Sequence, residues 1–252
     1  MKITETINLF DDYNRRARLY PGLLTIAPVF WTVAALNPNL IVGSASHVLG
    51  SVILVSGALS LLSNLARWRG KIAERVLIEK WGGWPSTVLL RHRDSTIDSF
   101  TKARYHRELE TICGGLKLPT ADEEKGNPSD ADARYRSATR RLIERRREKK
   151  YQLLHRENVQ YGFRRNLLGL KPSALAILCL LTLFAGVTLS YGANTPISSW
   201  ESVYADFRDR QPLYLLLLAN LLAITVWVWA IRPNFVKQAS EEYALALFRT
   251  LD

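Results

Sequence analysis

The chain alternates between long apolar stretches and one long polar segment. Residues 19–66, 172–200 and 211–231 contain no Asp, Glu, Lys or Arg. A helix needs about 20 mostly apolar residues to cross about 30 Å of hydrocarbon, so these stretches have room for two, one and one crossings. The tripeptide Asn37-Pro38-Asn39 predicts a turn within the first stretch. We therefore predict four membrane-spanning helices, near residues 21–36, 46–65, 172–191 and 212–231.

The last two stretches are apolar on every face, whereas a soluble helix of that length normally carries a polar stripe. Within the second and third predicted spans, small or polar residues recur at helical spacing and favour close packing against another helix. They are Gly43, Ser46, Gly50, Gly57, Ser60 and Asn64, and then Thr182, Gly186 and Ser190. Asn220 is the amide inside the fourth span, and we expect it to bond a neighbouring helix.

The predicted fold class is all-α. It is a polytopic membrane protein with four transmembrane helices in two hairpins and a helical cytoplasmic domain inserted between them. The predicted parts are a cytoplasmic N-terminal tail (1–20), the first transmembrane hairpin (21–66), the basic helical domain (67–171), the second hairpin (172–231) and a C-terminal amphipathic helix (232–252).

The formal net charge of +11 lies entirely in residues 67–171, which hold 25 Lys/Arg and 14 Asp/Glu. Because Lys and Arg accumulate on the cytoplasmic side of membrane proteins, both termini and this segment are predicted to be cytoplasmic and to contact anionic headgroups. Nucleic acid is not an expected partner, since Glu144 and Glu148 interrupt the basic run at residues 140–150 and no nucleic-acid module is recognisable. Cys113 and Cys179 fall in different environments, so no disulfide is expected.

Helix start and stop patterns predict a folded central segment. The sequence Trp81-Gly-Gly-Trp-Pro85 predicts the end of a helix, and residues 87–90 read as extended. Residues 95–98 and 120–123 have the capping-box pattern, and Asn127 marks a further helix start. The pair Gly114-Gly115 predicts the end of the first of these helices.

Polar clusters in the central segment are the candidates for chemistry. The candidate ligand-binding residues are Arg91, Arg93, Lys102, Arg104, Tyr105, Arg164 and Arg165. The candidate catalytic residues are His92, Asp94, His106 and His155, because imidazole with carboxylate serves acid–base chemistry and metal binding. No pair of histidines has the spacing of metal ligands, so neither a metal nor another cofactor is expected.

Four strings carry a resemblance to a group of bacterial inner-membrane proteins of unknown function. They are Tyr13-Asn-Arg-Arg-Ala-Arg-Leu-Tyr-Pro21, Lys102-Ala-Arg-Tyr-His106, Glu157-Asn-Val-Gln-Tyr-Gly-Phe-Arg-Arg-Asn166 and Leu168-Gly-Leu-Lys-Pro172. The resemblance implies a place in the bacterial inner membrane, and it implies no activity, cofactor or catalytic residue. The architecture also resembles membrane effectors of bacterial antiviral systems, which is an analogy of fold alone.

Three functions are open at this point. The first is a non-enzymatic, homo-oligomeric membrane protein whose cytoplasmic domain binds a protein partner or an anionic ligand and couples it to the membrane helices. Such a protein would fit a membrane-perturbing effector of antiviral defence. The second is a membrane-surface enzyme that uses the His/Asp cluster. The third is a channel or transporter for a small solute, lined by Asn64, Thr182 and Asn220.

Overall fold

The computed structural model describes residues 12–36, 48–148, 150–191 and 200–252, with backbone alone for 48–56. These residues form helices and turns and contain no strand, so the all-α prediction is confirmed for them. The predicted turn at residues 37–39, the start of the second predicted span and residues 192–199 of the second loop lie outside this description.

Eleven helices follow one another along the described chain. They are α1 (Asp12–Asn14), joined by the π-helical turn Arg15–Leu19 to α2 (Tyr20–Leu36), then α3 (Val48–Lys80), α4 (Pro85–Val88), α5 (Ser99–Cys113), α6 (Ala121–Gly126), α7 (Pro128–Arg145), α8 (Gln152–Tyr191), α9 (Trp200–Asp209), α10 (Gln211–Trp229) and α11 (Pro233–Phe248). A final 3₁₀ turn occupies Arg249–Leu251.

Three helical segments are long and apolar enough to cross a membrane: Asp12–Leu36, Gln152–Tyr191 and Gln211–Trp229. They carry three of the four predicted spans and are consistent with a membrane protein. The remaining predicted span falls on α3, which is described only from Val48 onward. The third predicted span is part of a longer helix, because α8 begins 20 residues before Pro172 and continues through it.

The chain forms two units, which we call the apolar unit and the basic unit. The apolar unit comprises Met1–Lys71 and Arg165–Arg232, and the basic unit comprises Ile72–Arg164 and Pro233–Asp252.

Two glycines allow a close contact between helices of the apolar unit. A Cβ placed on Gly169 of α8 would lie 2.5 Å from the carbonyl carbon and oxygen of Arg69 on α3. One on Gly70 would lie 2.9 Å from the Cα of Asn166, so the two backbones meet where neither glycine can carry a side chain. The Asn166 side chain is fully buried, and its Nδ2 donates to the Ala17 carbonyl at 2.6 Å.

Of the other helix contacts predicted within the spans, the one at Asn220 is found in the described part of the chain and those at Gly57 and Gly186 are not. The Trp31 indole donates to Asn220 Oδ1 at 3.0 Å, which confirms that this amide bonds a neighbouring helix. Close approach at Gly57 and Gly186 is wrong for the described residues, because a Cβ at either position would meet no described atom within 4 Å. The Thr182 hydroxyl donates to the Leu178 carbonyl of its own helix at 2.7 Å, so this polar group is satisfied locally.

In the basic unit, the structure corrects two predictions, one on the secondary structure after Pro85 and one on the residue that caps α5. Residues 87–90, predicted to be extended, lie in the short helix α4 (Pro85–Val88) and in the turn that follows it. The reason is that Gly82 and Gly83 end α3 with positive φ and Pro85 then pre-sets a helical turn. Asp98, rather than Ser95, caps α5, since its carboxylate accepts the Thr101 N–H at 2.9 Å.

The remaining predicted helix ends in this unit are confirmed. Thr120 and Glu123 form the predicted capping box of α6, and Asn127 caps α7. Helix α5 ends at Gly114, which adopts the left-handed conformation with φ 60°.

The core of the basic unit lies among α4, α5, α7, α11 and the first turn of α8. Its fully buried large side chains include Leu90, Leu109, Tyr135, Leu142, Leu247 and Phe248. Because protein cores are close-packed, these buried side chains hold the polar groups at the edge of the core in fixed positions.

Candidate functional site

A cavity of about 240 Å³ lies within the basic unit, beside this core. Its wall is contributed by α4, α7, α8 and α11 together with the turn before α4. The lining residues are Trp84, Pro85, Ser86, Thr87, Arg136, Thr139, Arg140, Ile143, Tyr161, Ser240, Tyr243 and Ala244. The wall is therefore mainly apolar and aromatic, with hydroxyl groups and two guanidinium groups among them.

Two hydroxyls of the cavity wall are buried without a hydrogen-bond partner. Thr87 is 1% exposed and Thr139 is 4% exposed, and neither Oγ1 has a partner among the described residues. A buried polar group left unpaired costs about 1–3 kcal/mol, so most such groups in proteins are bonded to protein, water or ligand. This pair of hydroxyls marks the cavity as a place where a polar ligand atom would be stabilised.

Positive charge borders the same cavity. Arg136 and Arg140 stand four residues apart on α7, on one face of that helix, and both are exposed. Arg136 Nε donates to the Asp132 carbonyl at 3.2 Å, whereas Arg140 makes no hydrogen bond or ion pair with any described residue. An anionic group at the cavity mouth would therefore meet an arginine with all of its donors available.

Aromatic rings form another part of the wall. The Tyr161 and Tyr243 rings lie nearly parallel, with an interplanar angle of 7° and centroids 6.3 Å apart. Tyr161 is fixed further by its hydroxyl, which donates to Glu74 Oε1 at 2.7 Å. Trp84 is placed at the cavity by the glycine turn that ends α3. Such rings favour a flat or apolar ligand body.

A second group of polar residues, also in the basic unit, is engaged in internal contacts. Arg91 pairs with both carboxylate oxygens of Asp132, at 2.8 and 2.7 Å, and donates to the Gly82 carbonyl at 2.7 Å. Lys102 is buried, and its Nζ donates to the backbone carbonyls of Arg91 and Asp94. Burial lowers the pKa of this ammonium, against the opposing effect of nearby carboxylates. These bonds fix the loop between α4 and α5.

Glu124 also anchors this loop. Its Oε2 accepts the His92 N–H at 2.7 Å and the Tyr135 hydroxyl at 2.9 Å. Burial acts to raise the pKa of Glu124, but these hydrogen bonds outweigh it and hold the pKa below its usual value. Burial and the bond to this carboxylate raise the pKa of Tyr135 far above its usual value, so the phenol stays protonated.

The candidate catalytic residues do not all come together. The His92 and His106 rings lie 5.0 Å apart and perpendicular, with Nε2 atoms 2.9 Å from the carbonyls of Pro119 and Leu90 respectively. Asp94 accepts the Thr96 N–H at 3.0 Å. His155 lies near the start of α8, exposed, with Nε2 3.2 Å from the Glu148 carbonyl. Across the described residues, no group of three or more His, Cys, Asp or Glu has the arrangement of a metal site.

The seven candidate ligand-binding residues are separated in the same way. Besides the internal contacts of Arg91 and Lys102, each of the others has a partner within its own unit. Arg93 lies 3.8 Å from Glu124, Arg104 lies 2.9 Å from Asp252, the Tyr105 hydroxyl lies 3.4 Å from Asp252, Arg164 donates to the Phe235 carbonyl at 3.1 Å, and Arg165 of the apolar unit donates to Asn166 Oδ1 at 3.1 Å. They do not form one site.

The cavity residues were missed because their signals are weak in sequence. Thr87 and Thr139 look like ordinary helix or loop residues, and Arg140 belongs to a basic run that the predicted topology already accounts for. The spacing of Arg136 and Arg140 was the one available pointer, since it places both on one helical face.

His106 should make the stability of the basic unit depend on pH. Burial lowers its pKa below the ordinary 6.5, and His92 and Lys102 act in the same direction, while the Leu90 carbonyl and Glu110 oppose them. In the unfolded chain the His106 imidazole binds a proton near pH 6.5, whereas in the folded protein it binds one only at lower pH. Unfolding therefore becomes more favourable as the pH falls through 6.5. We expect the thermal unfolding midpoint to fall from about pH 7 to about pH 5.

The matched variant is His106→Gln, which keeps a donor near Leu90 and does not titrate. Differential scanning fluorimetry of both proteins should show a shallower decline for the variant over this range. Equal declines would mean that other groups carry the pH dependence.

Comparison of the chain with protein-family models, with curated proteins and with solved structures gives no match.

Proposed function

We propose that this chain is a membrane protein whose basic unit binds a small amphiphilic anion in the 240 Å³ cavity. The observation that carries the proposal is the pair of buried, unpartnered hydroxyls of Thr87 and Thr139 in the cavity wall, close to an arginine with no described partner. A buried hydroxyl without a protein partner can be satisfied by a water molecule or by a polar atom of a ligand, and here two of them face one cavity.

The chemistry of the wall narrows the ligand class. The guanidinium groups of Arg136 and Arg140 would bind a phosphate, sulfonate or carboxylate group. Ile143, Ala244 and the tyrosine rings would pack against an apolar or aromatic body, and the two threonine hydroxyls would bond a polar atom on it. Ligand cavities for drug-sized molecules are about 300–1,000 Å³, so this one suits a smaller molecule rather than a peptide.

The proposed topology follows the distribution of charge. In this proposal four spans cross the bacterial inner membrane, with residues 67–171 and both termini in the cytoplasm. The excess of Lys and Arg in residues 67–171 supports that orientation. The three apolar helices Asp12–Leu36, Gln152–Tyr191 and Gln211–Trp229 support membrane insertion. The ligand would then be a cytoplasmic or membrane-derived anion.

Binding can be tested with naphthyl phosphate, which joins a flat apolar body to one anionic group. Saturation-transfer NMR and calorimetry on the full chain in nanodiscs should show binding of naphthyl phosphate and much weaker binding of neutral naphthylmethanol. Arg140→Gln should weaken phosphate binding by about tenfold or more, because a hydrogen bond to a charged group contributes about 1.5–3 kcal/mol.

Arg141→Gln is the control, since it removes the same charge from the next residue of α7, which does not line the cavity. Its affinity should equal that of the unaltered protein. Equal weakening by both variants would show only a general charge effect and would contradict the proposed site. Equal binding of the neutral compound would contradict it as well.

Thr139→Val should have opposite effects on stability and on binding. Without ligand, the substitution removes an unpaired buried hydroxyl at nearly constant volume, so the protein should keep its stability or gain up to about 1 kcal/mol. With naphthyl phosphate, the same variant should bind more weakly. Thermal unfolding with and without ligand measures both effects, and a clear loss of stability in the unliganded variant would mean that the hydroxyl has a structural partner.

A further inference from the structure

Helix α9 has an apolar face that the described chain leaves mostly exposed. Trp200, Val203, Tyr204 and Phe207 follow the spacing i, i+3, i+4, i+7 and so lie on one face. Trp200 is 87% exposed and Tyr204 is 68% exposed, and no residue of α9 is buried. The charged residues Glu201, Asp206, Arg208 and Asp209 lie outside this face, along its flanks and opposite to it.

Specific contacts hold α9 beside the ends of two membrane-spanning candidates. Asp206 accepts a hydrogen bond from Arg210 and another from the Tyr214 hydroxyl of α10, the latter at 2.7 Å. Arg210 also donates to the Leu189 carbonyl near the end of α8, at 2.7 Å. The Phe207 and Tyr214 rings pack with centroids 5.5 Å apart. The C-terminal turn of α9 is thus fixed at the level where α8 ends and α10 begins.

We propose that the face formed by Trp200, Val203, Tyr204 and Phe207 binds the bilayer surface, with its rings at the boundary between headgroups and acyl chains. The bilayer is the occupant because both flanking helices are long and apolar enough to cross it, and this fixes α9 near one membrane face. Trp and Tyr are the residues that proteins place at this depth, and an amphipathic helix binds there by burying such a face. The inference rests on the membrane insertion contained in the proposed function, and it is independent of the cavity.

The polar face agrees with this position. The charged residues of α9 are three acids and one base, so they carry an excess of negative charge. The attraction of α9 to the membrane surface must therefore come from insertion of its aromatic rings and not from binding to anionic lipid. We therefore expect α9 to insert equally well into vesicles of zwitterionic phosphatidylcholine and into vesicles that also contain phosphatidylglycerol.

Environment-sensitive labels at adjacent positions test the proposal. In a cysteine-free background of the full chain, Tyr204→Cys and Ala205→Cys are each labelled with NBD and reconstituted into phosphatidylcholine vesicles. Consecutive residues of an α-helix lie about 100° apart around its axis, so Ala205 points away from the apolar face on which Tyr204 lies. The label at 204 should be blue-shifted and quenched by lipids with a doxyl group near the headgroup, whereas the label at 205 should be quenched by iodide in water.

A third label, at Leu218 in the middle of α10, separates this inference from its premise. Leu218 is exposed on a spanning candidate and should be quenched by lipids with a deep doxyl group. If lipids with a deep doxyl group quench the label at 218 while iodide quenches the labels at both 204 and 205, then α10 is in the membrane but α9 does not bind its surface. This result would overturn the inference on α9 and leave membrane insertion intact. Protection of 204 from both quenchers would overturn it too, because protein rather than lipid would then cover the face. Absence of lipid quenching at 218 would overturn membrane insertion, and the inference with it.

Discussion

Replacing Gly169 by alanine is expected to destabilise the apolar unit by about 3 kcal/mol, because overpacking costs typically 1–3 kcal/mol and here the neighbour is backbone. The new Cβ would lie 2.5 Å from the Arg69 carbonyl group and from the Gly70 nitrogen. A flexible side chain moves away cheaply, but a helical backbone moves only with its whole helix. We therefore expect α3 and α8 to separate and the nearby Asn166 bond to Ala17 to break.

Gly186→Ala on the same helix is the matched control. A Cβ there would meet no described atom within 4 Å, and alanine favours a helix over glycine by about 1 kcal/mol. Its stability should be unchanged or higher. The measurement is the thermal unfolding midpoint of the detergent-solubilised protein, together with the yield of folded protein. Equal midpoints for the two variants would contradict the close crossing at Gly169.

Removing the Asp132 carboxylate with Asp132→Ala is expected to destabilise the basic unit by about 3 kcal/mol or more, because it leaves a buried guanidinium unpaired. The Arg91 side chain is 9% exposed and is held by both oxygens of this carboxylate. Arg91 would keep only the Gly82 carbonyl as an acceptor. The loop that carries the Arg91 and Asp94 carbonyls should then loosen, together with the bonds from Lys102.

Asp130→Ala is the control for this prediction. Asp130 pairs with Arg134 on the surface of the same helix, and exposed pairs contribute about 0–1 kcal/mol. The double variant Arg91→Met with Asp132→Leu should recover much of the lost stability, since apolar replacement of a buried ion pair is often neutral. Chemical denaturation monitored by tryptophan fluorescence gives the free energy of unfolding of each of these three variants and of the unaltered protein. A small loss in Asp132→Ala would show that water reaches Arg91 in the folded state.

Local sequence patterns predicted the helices well and the polar contacts poorly. Capping by Thr120 and Asn127 and termination at Gly114 depend on side chains within four residues, so the sequence contains all the information they need. The helix at residues 85–88 was missed because the positive φ of Gly82 and Gly83 places Pro85 at a helix start, where its rigid ring favours the first turn.

The residues of the candidate site, unlike the helix ends, could not be predicted from local sequence patterns. Arg91 and Lys102 were expected to bind a ligand, yet their acceptors are Asp132 and backbone carbonyls, which no spacing rule pairs with them. Conversely, Thr87 and Thr139 are 52 positions apart and become neighbours of one cavity only through the packing of α4 against α7. Whether a polar residue is free or engaged depends on such distant partners.

By itself the sequence determined the all-α class, three apolar segments able to cross a membrane and the confinement of net charge to one segment. These properties depend on composition and on short-range periodicity, which every helix carries within itself. Only the tertiary structure decided where helices touch, at Gly70 and Gly169 rather than at Gly57 and Gly186. It also decided which cationic groups are paired, because steric fit and hydrogen-bond satisfaction are settled between residues far apart in the chain.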